Sequence, residues 1–172
     1  MALVYRTIVP SDDPALAEVI KKSLEEQGNN KPGTIYADPQ LYKMSSGYTT
    51  ADSIYYVVYD GEELLGGCGI ARITCLSCPP DRQANQKENY CELQRMFLKK
   101  EARGKGIGAE LMRLCVDFAK KAGYNLVYIE TFCNMTEAIK LYERSGFEYI
   151  DGPLGNTGHF SCDKFLVKRL SL

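Results

Sequence analysis

Residues 103–108 read Arg-Gly-Lys-Gly-Ile-Gly, and this glycine-rich stretch is the most informative part of the sequence. It follows an apolar run at 93–98 that is typical of a β-strand, and it precedes an amphipathic stretch that predicts a helix to about residue 122. A glycine turn that opens a helix presents unpaired main-chain N–H groups at the positive end of the helix dipole. Such a turn binds phosphate or pyrophosphate, because the glycines let the ligand approach the backbone closely.

Positive charge is concentrated at this turn. Four cations and a single acid occupy positions 99–105, although the formal net charge of the 172-residue chain is only −1. This excess of positive charge lies where a bound anion would lie, so we expect an anionic ligand. The charged residues are Lys99, Lys100, Glu101, Arg103 and Lys105.

The composition is typical of one globular domain spanning residues 1–172. Hydrophobic residues make up 45% of the chain and charged residues 25%, without the basic stripe that marks a nucleic-acid-binding protein. No apolar run is long enough to cross a bilayer, and the first residues lack the pattern of a signal peptide. We therefore expect neither nucleic acid nor a membrane as a partner.

The cysteines indicate a reducing compartment. There are seven, an odd number, spread along the chain. Cys75 and Cys78 form one C-x-x-C pair without a second pair at zinc-finger spacing, and the single histidine, His159, is far away in sequence. We expect two free thiols there, no metal site, and a cytoplasmic location.

Hydrophobic periodicity predicts an α/β (α+β) fold with the order β-α-β-β-β-α-β-α-β-β and a short extra helix near 39–44. Asp60-Gly61 predicts a tight hairpin, and Gly-Gly-Cys-Gly at 66–69 predicts a bulge or close packing. A hairpin region ahead of one βαβ unit predicts a mixed, mostly antiparallel sheet of about six or seven strands flanked by helices. Strands are expected near residues 3–9, 54–59, 64–73, 91–98, 126–129, 147–150 and 159–167, and the main helices near 14–27, 107–122 and 136–145.

Other interpretations of the glycine turn explain less of the chain. Gly104-x-Gly106-x-x-Ala109 fits a loose dinucleotide-binding pattern, with Glu130 at the distance of a ribose-binding acid. Five polar residues, however, separate the strand from the first glycine, and too little chain follows for a second half of that fold. The P-loop pattern is absent. A plain strand–helix turn would not require three alternate glycines beside four cations.

The motif Arg-x-x-Gly-x-Gly at 103–108 resembles the pyrophosphate loop of the GCN5-related N-acetyltransferase (GNAT) superfamily. Glu92-Leu93 on the preceding strand, and Ala-Ile-x-Leu-Tyr-x-x-x-Gly-Phe at 138–147, resemble later motifs of the same superfamily at the right separations. The resemblance is sharpest over residues 91–147. The residues before 91 agree with the superfamily only in the order of their predicted helices and strands. It implies a single GNAT-like domain whose sheet splays between the strand before the glycine loop and the next strand.

The resemblance also implies the donor and the residues that bind it. The donor would be acetyl-coenzyme A (acetyl-CoA), without a metal, and its pyrophosphate would bind the main-chain N–H groups of the loop. Its pantetheine arm would pair with the exposed backbone of the preceding strand, where an N–H group would polarise the thioester carbonyl. The implied donor-binding residues are Met96, Phe97, Leu98, Arg103, Gly104, Lys105, Gly106, Ile107 and Gly108.

Two side chains are candidates for proton transfer. Tyr142 matches the tyrosine that gives a proton to the leaving thiolate in many relatives, and a packing tyrosine is the alternative. Glu92 precedes the loop arginine by eleven residues and matches a glutamate that deprotonates the acceptor amine in some relatives. A structural glutamate at a strand end is the alternative for Glu92. Many relatives carry an asparagine where this chain has Met135, with Asn134 one place early, which puts that pantetheine contact in doubt.

The sequence thus predicts a cytoplasmic N-acetyltransferase that transfers an acetyl group directly to a primary amine in a ternary complex. The second hypothesis is a CoA-binding sensor or regulatory module without turnover, and the two differ at Glu92 and Tyr142. The acceptor stays open among a small amine, an amino acid and a protein N-terminus. The resemblance assigns its recognition to residues 27–53 and to loops such as 76–89, and homodimers are common in the superfamily.

Overall fold

The computed structural model of the chain describes residues 2–32, 34–73, 89–154 and 161–171. Cys75, Cys78 and almost all of the predicted loop at 76–89 lie outside these ranges, as does His159 at the predicted start of the last strand. In the described residues no helix is both long and apolar enough to cross a membrane.

The described part of the chain forms one seven-stranded sheet with helices on both faces. The strand order is β1-β2-β3-β4-β5-β7-β6, and every neighbouring pair is antiparallel except β4 and β5. The predicted fold class and element order are confirmed. The strands are β1 (Leu3–Thr7), β2 (Ile54–Asp60), β3 (Glu63–Arg72), β4 (Tyr90–Leu98), β5 (Leu126–Thr131), β6 (Glu148–Tyr149) and β7 (Lys164–Arg169). The α-helices are α1 (Asp13–Glu26), α2 (Ile107–Lys121) and α3 (Thr136–Arg144), and 3-10 turns cover Pro10–Asp12, Ile35–Ala37, Pro39–Gly47 and Lys100–Ala102.

The ends of these elements follow from local chemistry. β1 stops at Thr7, two residues earlier than predicted, because Pro10 lacks an N–H group and opens a 3-10 turn instead. The N–H of Val9 donates to the Asp12 carboxylate at 2.9 Å, which stabilises that turn. Gly61 in the β2–β3 hairpin has a φ of 59°, a left-handed conformation that glycine adopts without strain.

Two apolar cores lie on opposite faces of the sheet. The first packs α1 and the 3-10 segment 35–47 against β2, and the second packs α2 and α3 against β3, β4, β5 and β7. Both form because the strands alternate their side chains between faces that are each covered by helices. The first core includes Leu16, Ile20, Leu24, Leu41, Tyr55 and Val57, and the second includes Cys68, Leu93, Leu111, Val127, Ile129 and Leu166.

A β-bulge interrupts the pairing of β3 with β4. Gly69 pairs with Gln94 and Gly67 pairs with Phe97, so that two residues of β4, Arg95 and Met96, stand opposite the single Cys68. The bulge predicted at 66–69 is therefore present, with its extra residue on the partner strand. Arg95 has a φ of 53°, an unusual value for a residue with a side chain.

The sheet opens between its two parallel strands. β4 and β5 pair only over three positions, Tyr90 to Glu92 of β4 against Leu126 to Tyr128 of β5, and then diverge. This is the splay that the resemblance implied. Beyond Glu92 the β5-facing edge of β4 is therefore not paired with β5, and a cleft begins there.

Candidate functional site

Two cavities lie along β4 at this cleft, and the second also reaches β5. Met96, Phe97 and Met135 line both cavities and so form a common wall. The first has a volume of about 290 Å³ and reaches the glycine turn, while the second has a volume of about 70 Å³ and lies toward Glu92. We refer to them as the loop cavity and the inner cavity.

The glycine turn opens helix α2 onto the loop cavity. Gly104 and Gly106 have φ values of 73° and 80°, and a Cβ atom added to either would meet nothing within 4 Å. These two glycines are therefore needed for their backbone conformation, and they leave open space beside the main chain. Gly106 is the N-cap of α2, so the free N–H groups of its first turn lie next to the cavity wall.

Gly108 serves close packing in the same turn. A Cβ atom there would lie 3.1 Å from the Met96 side chain and 3.2 Å from the Leu141 side chain, and both of these side chains line the loop cavity. The glycine therefore allows α2 to approach β4 and α3 without pushing their side chains into the cavity.

Arg103 holds the turn to the strand and to α1. Its Nε donates to the main-chain oxygen of Leu98 at 3.0 Å, and its NH2 group donates to Ser23 Oγ at 2.9 Å and lies 2.8 Å from a Glu26 carboxylate oxygen. Arg103 lines the loop cavity, as an anion-binding residue would. Its charge is already partly balanced by Glu26, so the side chain has a structural task as well.

The predicted donor-binding residues do not all face the loop cavity. Met96, Phe97, Leu98, Arg103, Gly104, Gly106 and Gly108 line it, whereas Lys105 and Ile107 do not. Ile107 is only 3% exposed and packs into the core under α2, so that only its main-chain groups are available to a ligand. Lys105 is exposed beside the turn.

Glu92 and Tyr142 both line the inner cavity. The sequence alone could place them only through the resemblance. β4 contributes Glu92 at the last position where that strand pairs with β5, and α3 contributes Tyr142 from its final turn. The structure therefore brings the two candidate groups for proton transfer together, on the far side of the wall from the glycine turn.

Glu92 is a buried carboxylate with a raised pKa. It is 6% exposed, and burial raises its pKa to about 7, with a further increase from the nearby Glu130. Gln94 Nε2 donates to Glu92 Oε2 at 2.6 Å, which favours the charged form and opposes the rise. Gln94 in turn accepts a hydrogen bond from the Tyr48 hydroxyl at 3.0 Å.

Tyr142 is a buried phenol whose hydroxyl has no hydrogen-bond partner among the described residues. It is 5% exposed, and burial raises its pKa well above the ordinary value of 10.0. The hydroxyl is therefore protonated at physiological pH and available to a ligand in the cavity. Its ring packs against Phe147, with the ring centroids 6.1 Å apart.

Asn134 does not point into the loop cavity but joins two elements across the cleft. Its Nδ2 donates to the main-chain oxygen of Gln27 at 2.8 Å, and it exchanges amide hydrogen bonds with Asn29 at 3.1 and 3.2 Å. The side chain at the following position, Met135, lines both cavities. The amide pair links the end of α1 to the turn before α3.

Several residues of the inner cavity were missed by the sequence analysis. Gln94 and Arg95 follow Glu92 on β4, and Glu130 and Cys162 line the cavity from β5 and from the segment before β7. The Gly-Gly-Cys-Gly run predicted a bulge or close packing on β3, but it did not indicate that the extra residue would be Arg95 on β4. Within the described ranges, no group of three or more histidine, cysteine, aspartate or glutamate side chains is placed to hold a metal ion.

Comparisons with known proteins agree with this geometry. A family model described as "Acetyltransferase (GNAT) family" matches residues 17–147. The sequence is 36% identical over 169 residues to a protein of Escherichia coli (strain K12) described as the uncharacterized N-acetyltransferase YjgM, with 97% of this chain and 95% of that protein covered.

Solved structures share the fold at low sequence identity. A GNAT-family acetyltransferase from Staphylococcus aureus MU50 is similar with a TM-score of 0.81 and 20% identity, over 99% of this chain and all 100% of that one. The PaiA N-acetyltransferase from Thermoplasma acidophilum, solved in complex with coenzyme A, is similar with a TM-score of 0.74 and 18% identity, over 99% and 100% of the two chains.

Proposed function

This chain belongs to the GNAT family of N-acetyltransferases, and from that premise we propose that it transfers an acetyl group from acetyl-CoA directly to a primary amine in a ternary complex. The observation that carries the proposal is the common wall of the two cavities. On one side lies a glycine turn suited to a pyrophosphate, and on the other lie a carboxylate and a phenol suited to proton transfer.

The residues of the loop cavity fit the donor. The free N–H groups at the start of α2 suit the pyrophosphate, since Gly104 and Gly106 leave the main chain accessible. The unpaired edge of β4 at Met96 and Leu98 suits an extended chain of amides such as pantetheine. Arg103 adds positive charge at the same end of the cavity.

The residues of the inner cavity suit the proton transfers. The donor supplies an activated thioester, so that a C–N bond forms as the C–S bond breaks. Glu92 takes the proton that the amine gives up, which its pKa of about 7 permits near neutral pH. The Tyr142 hydroxyl gives its proton to the departing sulfur. This transfer requires no existing hydrogen bond to break, because the hydroxyl has no partner among the described residues.

Replacing Tyr142 by phenylalanine tests this function. We expect the Tyr142→Phe variant to bind acetyl-CoA and to melt like the parent protein, because the lost hydroxyl has no partner among the described residues. Its kcat should fall about 100-fold, as for the loss of a general acid. The measurement is thiol release from acetyl-CoA over a panel of amino acids, polyamines and peptides.

Tyr149→Phe is the matched control, because the Tyr149 hydroxyl contacts Glu143 on the surface and neither residue lines either cavity. It should leave kcat unchanged. Donor binding without turnover on any amine, together with no effect of Tyr142→Phe, would contradict the proposal and favour a CoA-binding sensor.

A further inference from the structure

We propose that the inner cavity takes an acceptor with a carboxylate beside its reacting amine, such as an α-amino acid, and that Arg95 binds this carboxylate. The inference rests on the proposed acetyltransferase function and names the acceptor class. Arg95, Glu92 and Glu130 all line the inner cavity, so a cation and two carboxylates border the same small space. Such a set complements a zwitterion.

The bulge is what brings Arg95 to this face. In a regular strand, residues 92 and 94 would point to one face of the sheet and residue 95 to the other. The positive φ of Arg95 changes this alternation, and its side chain contacts Met44 Sδ at 3.2 Å, in the segment between α1 and β2 that also supplies Tyr48 to Gln94. Bulges re-aim side chains in this way, and strained conformations concentrate at binding sites.

The guanidinium of Arg95 retains donors for a ligand. It carries five N–H groups in a fork that matches a carboxylate. Among the described residues its side-chain partners are the thioether of Met44 and the Asp38 carboxylate, and the latter is 3.6 Å away, too long for a hydrogen bond. The side chain is 19% exposed, so a bound carboxylate would be only partly screened by water.

The opposite end of the zwitterion fits the acidic side of the cavity. Glu92 and Glu130 attract an ammonium group, and Glu92 then accepts its proton as the amine becomes a nucleophile. Arg95 lowers the pKa of Glu92 and Glu130 raises it, because both charges lie near the Glu92 carboxylate. A polyamine would bring a second cation toward Arg95, so the same cavity disfavours that class.

The inference is tested by binding to the protein loaded with CoA, which cannot turn over. Calorimetry would compare each of the common L-amino acids with its α-amide and its decarboxylated amine, and would include spermine. We expect at least one amino acid to bind about 10- to 100-fold more tightly than its amide, the range for a hydrogen-bonded charge. In Arg95→Met this preference should fall to near one, and Arg95→Lys should retain part of it.

Arg113→Met is the control, because Arg113 forms ion pairs with Glu110 and Asp117 on the surface of α2 and lines neither cavity, so it should leave the preference unchanged. Equal binding of acids and amides, stronger binding of spermine, or an Arg95→Met variant with intact preference would overturn the inference. Because the readout is binding, these results are separate from a failure of acetyl transfer, which thiol release reports.

Discussion

Glu92 is held near the boundary between its charged and neutral forms. Burial and Glu130 raise its pKa to about 7, while Gln94 and Arg95 oppose the rise. A general base works best when its pKa lies near the operating pH, because it is then both ionised and able to hold a proton. The surroundings of this residue therefore suit the role proposed for it.

The pH dependence of the reaction should follow this carboxylate. Since only ionised Glu92 accepts a proton, kcat/KM should rise with pH to a plateau, with its midpoint near pH 7. In Gln94→Met the midpoint should move to higher pH, because the amide that stabilises the charged form is gone. The measurement is initial rates between pH 5.5 and 9, with about one unit of displacement as the rough expectation.

Glu92→Gln is the companion variant and should lose this ionisation from the profile altogether. A profile that moves to lower pH in Gln94→Met, or one that keeps its midpoint in Glu92→Gln, would show that another group governs the rate.

The residues of the site differ in how far sequence could identify them. Glu92 and Tyr142 were predicted as proton-transfer groups because their motif positions resemble those of a known superfamily. The partner of Gln94 could not be predicted, because Tyr48 is 46 residues away in sequence and reaches it only through the packing of the 3-10 segment on the sheet. Long-range pairs of this kind depend on tertiary contacts that no local pattern contains.

Among the elements, the bulge could be predicted only in part, because one part of it depends on local sequence and the other on the pairing of two strands. Gly67 and Gly69 indicated close packing, and the ring of Tyr55 lies where their Cβ atoms would be. The identity of the extra residue, Arg95, depends on the register of β4 against β3. This register is determined by both strands together and cannot be read from either one alone. The glycine turn at the start of α2 could be predicted because its glycines and the N-cap lie within six consecutive residues, whereas the contacts of Arg103 with Ser23 and Glu26 on α1 could not.

At the start of α2, the variant Gly108→Ala should weaken donor binding without destabilising the fold. The new methyl group must displace Met96 or Leu141, both of which line the loop cavity. We expect this displacement to cost ~1 kcal/mol in the free energy of acetyl-CoA binding, which is about a fivefold loss of affinity. Alanine also favours helix, which should keep the melting temperature at or above that of the parent. Calorimetric titration with CoA and a thermal melt would measure the two effects.

Gly47→Ala is the control for this variant, because a Cβ atom there meets nothing within 4 Å and the residue lines neither cavity. Unchanged CoA affinity in Gly108→Ala would mean that the wall of the loop cavity relaxes freely.

At the scale of the molecule, two sets of polar contacts join elements that border the cleft. The amide pair of Asn29 and Asn134 is one of them, and Asn29 is buried. Arg103 is another, since it connects the glycine turn with α1 through Ser23 and Glu26. These contacts hold α1 against the rest of the domain on either side of the loop cavity.

Removing the amide pair should destabilise the protein. Asn134→Ala leaves the buried Asn29 amide without this partner and takes a donor from the Gln27 carbonyl, at a cost of roughly 1–3 kcal/mol in the free energy of unfolding. Asn29→Ala should cost a similar amount, and the double variant should cost less than the sum because the two side chains share one interaction. Urea denaturation measures all three.

Asn30→Ala changes an exposed neighbour and should alter the unfolding free energy by less than about 0.5 kcal/mol. Strictly additive effects of Asn29→Ala and Asn134→Ala would show that the amide pair contributes nothing as a pair.

The divergence of β4 from β5 leaves the facing edges of these two strands unpaired with each other beyond Glu92 and Tyr128, in the middle of the sheet. Exposed strand edges recruit other chains and promote aggregation. Here residues of α1 and α3 line the opening, and the side chains of Asn29 and Asn134 form hydrogen bonds with each other beside it. We expect the opening to bind a narrow, extended molecule rich in amides, which would pair with the exposed strand edge. The sheet would then be continuous only while this small molecule is bound.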